Sequence, residues 1–348
     1  MPKLATCEVL RDNLAQQPAA QAWSRLRPER NEPEGIEVLQ PNRKTAVYRL
    51  IGAGPDGSAV IAKRCLRATG LVERLIYEEC LAVLPVRAPK FYGFLDDPAS
   101  GEFCWLFLED ASGQKYSPQN AEHRAAAARW LGIVHAFRME EAVTRRLPDR
   151  GPRHYLQLVR SSRAMAMKPV ANPALLPEGA ATLRAIASQM DLLESQWGEV
   201  EAFFATVPHT LVHGDLAVKN VGLRAVPAGI SSTNISSTNL APLVFDWENG
   251  GWGLPAVDLC QFTDSNALSP DLESYSVSLG QRGRQLEFWK IRRLAQYGGI
   301  FRLLEGIQWA APKASDESSV YLVDVVIPNL RVYEDRMAQA LKAVDWTR

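Results

Sequence analysis

Several things are scarce in this sequence, and each scarcity closes off a class. No apolar run approaches the ~18 residues of a membrane span, and Glu8, Arg11 and Asp12 interrupt the first apolar stretch, which argues against a signal-peptide core. Neither sign of charge is in excess: 39 basic residues balance 39 acidic ones, so no broad field favours nucleic acid or an anionic membrane. The five cysteines, Cys7, Cys65, Cys80, Cys104 and Cys260, form no Cys-x-x-Cys pair and accompany no paired histidine spacing, which fits a reduced compartment rather than a disulfide framework or zinc site. The expectation is a cytoplasmic protein with no nucleic-acid or membrane partner. Nothing in the sequence sets its oligomeric state.

What remains is a chain of 348 residues, 47% hydrophobic and 22% charged, long enough for two lobes with separate cores. Residues 1–34 read as an N-terminal extension, a short helix and a charged linker dressing the edge of the first domain. Strand-like runs follow at Gly35–Leu39, Ala46–Ile51 and Ser58–Arg64, then at Phe91–Leu95 and Phe103–Leu108, with turn-rich segments between them. Leu71–Leu84 carries a helical stripe of Val72, Leu75, Ile76, Cys80 and Val83 ended by Pro85. The spacing thus predicts an α+β lobe over 35–109, with about five antiparallel strands and one helix.

From residue 110 to 348 the periodicity is mainly helical, with long segments at Glu122–Phe137, Ala180–Phe204, Arg284–Trp309 and Ser318–Val344. Its main interruption, Thr210–Trp247, contains short strand-like runs and the direct repeat Ser231–Ile235/Ser236–Leu240, expected as a solvated hairpin loop. Gly52, Gly54 and Gly57 spell a Gly-x-Gly-x-x-Gly, but a dinucleotide fingerprint must open a helix. Here Pro55-Asp-Gly57 leads into an alternating strand, so an ordinary turn is expected.

The informative feature is Leu211-Val-His-Gly-Asp-Leu-Ala-Val-Lys-Asn220, followed by Val244-Phe-Asp-Trp-Glu248. A His-x-Asp-x-x-x-x-Asn array arises by chance in such a chain with odds on the order of one in a hundred, before the second aspartate is required. Phosphoryl transfer needs a carboxylate beside the attacking hydroxyl, hard oxygen ligands for Mg²⁺, and positive charge on the phosphates. Asp215 can accept or orient the hydroxyl proton, and Asn220 and Asp246 can ligate Mg²⁺. Val60-Ile-Ala-Lys63 resembles a strand that aims a lysine at the α and β phosphates. Glu73, rather than Glu78 or Glu79, is the expected partner of Lys63 on the next helix. Lys219 reads equally as a phosphate contact or a solvated side chain.

With His213-Gly-Asp-Leu216 and Asn220, Phe245-Asp-Trp-Glu248, Gly253-x-Pro255, Asp258-Leu259, Lys63 and Leu106–Asp110, the chain resembles the aminoglycoside phosphotransferase family, related to choline and homoserine kinases. The resemblance covers roughly residues 35–345. It implies a bilobal protein-kinase-like fold with ATP, or GTP, between the lobes and the adenine against a hinge at Leu108 and Glu109. It implies that His213 and Asp258 support the catalytic loop and that C-lobe helices hold a small-molecule hydroxyl acceptor. The segment Asn42–Lys44, where a phosphate-covering loop would lie, lacks glycine.

The isolated histidines His123, His135, His154 and His209 are expected on the surface or in satisfied structural positions. A protein kinase is disfavoured, because only twelve positions separate Asp246 from Asp258 and no Ala-Pro-Glu segment occurs. The alternative from another class is a nucleotide-binding pseudokinase with a regulatory role. Such a protein usually lacks one of Asp215, Asn220, Asp246 or Lys63, and all four are present. Acceptor identity stays open. Asp264, Asp271 and Glu273 could meet a polycation, yet several arginines follow them, and Trp289, Tyr297 and Trp309 could cage a choline-like cation.

Overall fold

The computed structural model describes residues 8–29, 32–41, 45–225, 240–262, 267–315, 319–344 and 346. The chain divides into two compact units, one of Met1–Tyr116, Glu141–Leu147 and Lys219–Gly250, the other of Ser117–Glu140, Pro148–Val218 and Gly251–Arg348.

The first unit is built on a six-stranded antiparallel sheet of β1 (Glu8–Leu10), β2 (Gly35–Gln40), β3 (Thr45–Ile51), β4 (Val60–Leu66), β5 (Phe91–Asp96) and β6 (Phe103–Glu109), in the order β1-β2-β3-β4-β6-β5. Five of these strands match the expected sheet. The sixth comes from the N-terminal extension, and the helix Pro18–Leu26 does more than dress an edge. It buries Ala19, Ala20, Ala22 and Trp23, and Trp23 lies 5.2 Å from the Phe107 ring and donates from Nε1 to the Ala53 carbonyl at 3.2 Å.

Side chains alternate across a strand, so Val60 and Ala62 face this core with Leu50, Trp105 and Phe107, while Lys63 and Cys65 take the opposite face. On that face the helix Arg67–Leu75 packs at Gly70. A Cβ there would stand 3.2 Å from Cys65 Sγ and 3.3 Å from the Leu106 side chain, so glycine lets the helix approach the sheet closely. The helix continues as a π turn over Ile76–Leu81. The Gly-x-Gly-x-x-Gly segment is a turn, with Gly52, Asp56 and Gly57 at positive φ, leading into β4.

Residues 219–250, expected with the helical lobe, belong to the first unit. Val221–Ala225 pairs with both Leu240–Val244 and Gln114–Lys115, and Arg224 ion-pairs with Glu109. The repeat after Ala225 and the segment Asn42–Lys44 lie outside the described residues, apart from Leu240.

The second unit is mainly helical. Its helices are Ala121–Ala136, Pro152–Met167, Pro177–Ser195, Trp197–Phe204, Leu272–Gln281, Phe288–Ala310 and Ile327–Ala343, with a small sheet of Asp149–Arg150, Gly251–Gly253 and Thr210–Val212. Asn120 caps the first helix by accepting from the N–H groups of Glu122 and His123, and Asp271 caps another by accepting from Ser274 at 2.8 Å. These caps satisfy donors that a helix start leaves free. Phe288–Ala310 is buried on most sides, and Phe301 stacks on Tyr155 at 3.9 Å with Phe204 and Tyr297 beside it. Two helices carry little periodic signal. The buried stripe of Pro152–Met167 is Tyr155, Val159, Ser162 and Ala166, in which a serine and an alanine dilute the apolar signal. That of Leu272–Gln281 is only Tyr275, Ser278 and Leu279.

Candidate active site

In the first unit, β4 presents Lys63 to the close-packed helix, and Glu73 is the acid it meets. Lys63 Nζ donates to Glu73 and to Asp246 and stands 3.5 Å from Glu248. Glu78 and Glu79 are engaged elsewhere, by Arg74 at 2.9 Å and Arg146 at 2.7 Å. Lys63 is 5% exposed and Glu73 wholly buried. Burial opposes the lysine's charge, but the three carboxylates overcome it and hold the Lys63 pKa well above its ordinary value. Burial pushes Glu73 up to about 7, helped by Asp246 and Glu248 and opposed by Lys63. One lysine shared by three carboxylates explains both directions.

Asp246 follows the strand Leu240–Val244 in the left-handed region, at φ 69° and ψ 58°. For a residue other than glycine that conformation costs on the order of 1 kcal/mol or more and persists only where neighbours enforce it. The adjacent Trp247 is fully buried and donates from Nε1 to Val244, which anchors the turn. Lys63, Glu73, Asp246 and Glu248 border a cavity of about 460 Å³ in this unit, together with Asn220, Lys219 and the stretch Leu108–Lys115. Its apolar wall includes Val47, Ile61, Leu108, Ala111 and Phe245, suited to a flat aromatic group. Asn220 is buried and Lys219 exposed. Glu109 holds Arg224 and accepts from the Lys90 N–H at 3.1 Å. One oxygen from each of Glu73, Asp246 and Glu248 lies within 4.8 Å of the others. Hard oxygen donors whose charge exceeds that of the lysine fit Mg²⁺.

A second set of residues gathers in the helical unit. The buried Asp258 carboxylate accepts from the backbone N–H of His213 at 2.8 Å and of Gly214 at 3.1 Å. His213 Nδ1 accepts from the Asp215 N–H at 3.3 Å. Gly214 sits at φ +83°, which glycine alone adopts cheaply. Burial works to raise the Asp258 pKa, but His135, His213 and the His213 backbone N–H outweigh it and hold it below the usual range. Gly298 permits the close approach of the helix Phe288–Ala310 to the segment that carries Asp258, since a Cβ there would collide with the Ala256 carbonyl. Asp215 is partly exposed, and its Oδ1 lies 3.3 Å from Arg302 Nη2.

Three contributors were not singled out as site residues from sequence. Glu248 was legible within the Asp-Trp-Glu segment but carried no role. His135 lies 3.5 Å from Asp258 and 3.1 Å from the Tyr275 hydroxyl, and Arg302 reaches Asp215 from a helix far along the chain. Neither leaves a local signal. Of the acceptor candidates, Asp271 is a helix cap and Tyr297 lies in the aromatic core. Trp289 packs on Phe203, and Trp309 carries the Lys313 ammonium over its ring. Asp264 lies outside the described residues.

The profile of the phosphotransferase enzyme family matches residues 73–295, and the chain belongs to that family. Solved structures share its fold. An ethanolamine kinase of Plasmodium vivax is 15% identical with a TM-score of 0.57, over 88% of this chain and 82% of its own. An aminoglycoside phosphotransferase in complex with GDP and kanamycin is 13% identical with a TM-score of 0.59, over 92% and 98%. A spectinomycin phosphotransferase in complex with ADP and spectinomycin is 10% identical with a TM-score of 0.54, over 93% and 98%. At such identities the likeness is one of fold, and the fold is the expected kinase-like α+β architecture of a sheet lobe and a helical lobe. No sequence among curated proteins matches the chain. Among the described residues, no helix is long and apolar enough to cross a membrane.

Proposed function

We propose that this protein is a small-molecule kinase that moves the terminal phosphoryl group of ATP, or GTP, to a hydroxyl. The observation that carries the proposal is Lys63, buried and charged at the edge of a cavity whose other polar groups are mostly oxygen donors. A lysine so placed serves the α and β phosphates, with Glu73 fixing its direction. Leu108 and Glu109 would flank the nucleotide base. Asn220 and Asp246 would hold Mg²⁺, which would neutralise charge on the phosphate oxygens.

Asp215 takes the acceptor's hydroxyl proton as the acceptor oxygen forms its bond to the γ-phosphorus. The bond from that phosphorus to the β–γ bridging oxygen breaks, and the nucleoside diphosphate leaves with its electron pair. His213 and Asp258 act as positioning residues, holding the turn that presents Asp215. Kinase relatives and complexes with GDP or ADP in the same fold support this reading.

The test compares Asp215→Ala with Asp246→Ala, measuring Mg·ATP and Mg·GTP binding by titration calorimetry and diphosphate release over a panel of acceptors. Asp215→Ala should bind nucleotide nearly as wild type does and lose transfer, whereas Asp246→Ala should lose both. Equal loss of nucleotide affinity would count against these roles. Binding without any release over a broad panel would instead favour the pseudokinase.

A further inference from the structure

A cavity of about 290 Å³ in the helical unit is bordered by neither Asp215 nor any other residue assigned a role in transfer above. Its size is at the small end of ligand sites, which run from about 300 to 1,000 Å³. It forms where two packed helices end. Gly132 lets Ala121–Ala136 lie against Leu272–Gln281, since a Cβ there would collide with the Ser278 Cβ. Arg138 follows the first helix. After the second, Gly283 takes φ +77° and the Arg284 N–H turns back to the Leu279 carbonyl at 3.3 Å. Both arginine side chains line the cavity.

Its floor is held by polar contacts. Thr210 donates to the His135 carbonyl at 3.1 Å, and the Tyr275 hydroxyl lies 3.1 Å from His135 Nδ1. All three residues are buried and line the cavity. Behind them His135 Nε2 lies 3.5 Å from the Asp258 carboxylate, so the floor is anchored to the buried support of the Asp215 turn.

The rim carries positive charge without a matching acid. Among the described residues that line the cavity there is no aspartate or glutamate, and Glu287, three positions past Arg284, pairs with Lys290 at 2.8 Å. A guanidinium is rich in N–H donors and has no acceptor. Beyond its backbone, Arg284 reaches one carbonyl, that of His209 at 3.3 Å, and the Arg138 side chain reaches no acceptor among the described residues. The two arginines act on each other instead. Burial lowers the Arg284 pKa, with Arg138 acting in the same direction and Tyr275 opposing. Like charges brought together with donors to spare are relieved by an anion between them.

Independently of the kinase reading, we infer that this cavity binds a small oxyanion, a phosphate or carboxylate group held between Arg138 and Arg284. The planar guanidinium fork meets either group through paired charge-assisted hydrogen bonds.

The experiment is calorimetric titration of the full chain with inorganic phosphate and, separately, with malonate, at constant ionic strength in chloride, for wild type, Arg138→Gln and Arg284→Gln. Arg138 is exposed, so its variant serves if Arg284→Gln does not fold. Wild type should bind with a Kd on the order of 1 mM or below, and each substitution should weaken binding about tenfold or more. Which of the two anions binds separates phosphate from carboxylate as the group the cavity takes. Mg·ATP binding by Arg138→Gln should match wild type. Anion binding unchanged in Arg138→Gln overturns the inference, as does a wild type that takes up neither anion. The kinase reading is decided separately, by nucleotide binding and transfer.

Discussion

Lys63 and Asp215 sit in different electrostatic settings. Around Lys63 a single ammonium is shared by Glu73, Asp246 and Glu248. Around Asp215, Arg302 Nη2 lies 3.3 Å from the carboxylate, and burial pushes the neighbouring Glu305 up to about 8. The first centre has negative charge to spare and suits a cation bringing phosphates with it. The second sets one carboxylate beside one guanidinium. A chain of zero net charge thus gathers three carboxylates around one lysine, a property that the totals conceal.

The contrast is broken most severely at Lys63. Lys63→Met should lower transfer on the order of 10²- to 10³-fold, as loss of a single phosphate-directed cation does. It should also destabilise the fold by about 3 kcal/mol, because Glu73 stays buried without its counter-ion. Adding Glu73→Gln should recover much of that stability and none of the activity. Urea denaturation and ADP release together separate the two effects.

A smaller effect, confined to the other centre, is expected at Asp258. Asp258→Asn turns an amide N–H₂ toward one of two backbone N–H donors and should cost about 2 kcal/mol. Turnover should fall as the Asp215 turn loosens, with nucleotide affinity at the Lys63 cavity unchanged. Weaker nucleotide binding in this variant would show that the two centres are energetically coupled.

The smallest effect sharpens the contrast through pH. Glu305 has its folded-state pKa raised to about 8, so the folded protein retains a proton that the unfolded chain releases near pH 4.5. Its contribution to stability is complete below about pH 4.5 and is lost as pH rises toward 8. Screening at a partly exposed carboxyl brings the full shift down to about 2 kcal/mol. Glu305→Gln lacks this loss, so wild type should fall behind the variant by that amount between pH 5 and pH 8 in thermal or urea unfolding. A constant difference across that range would mean that Glu305 is ionised in the folded protein.

The sequence alone determined the elements whose signal is local. Alternation in Val60–Lys63 put Val60 and Ala62 on the core face and the lysine on the other, and the motif around Asp215, Asn220 and Asp246 pointed to the phosphotransferase family without any contact being known. The antiparallel sheet and most of the long helices followed from period and turn chemistry. Tertiary structure decided whatever depends on residues distant in the chain. It set Glu73, the acid already favoured from sequence, in contact with Lys63, because Gly70 brings that part of the helix against the sheet. It drew residues 219–250 into the strand-rich unit through pairing with Gln114–Lys115, and buried Trp23 of the N-terminal segment beside Phe107. It also set Arg302 and Glu305 beside Asp215, about ninety positions earlier in the sequence. Hydrophobic period and turn chemistry act over a few residues, whereas burial and charge act through space, and only the folded chain fixes which groups share it.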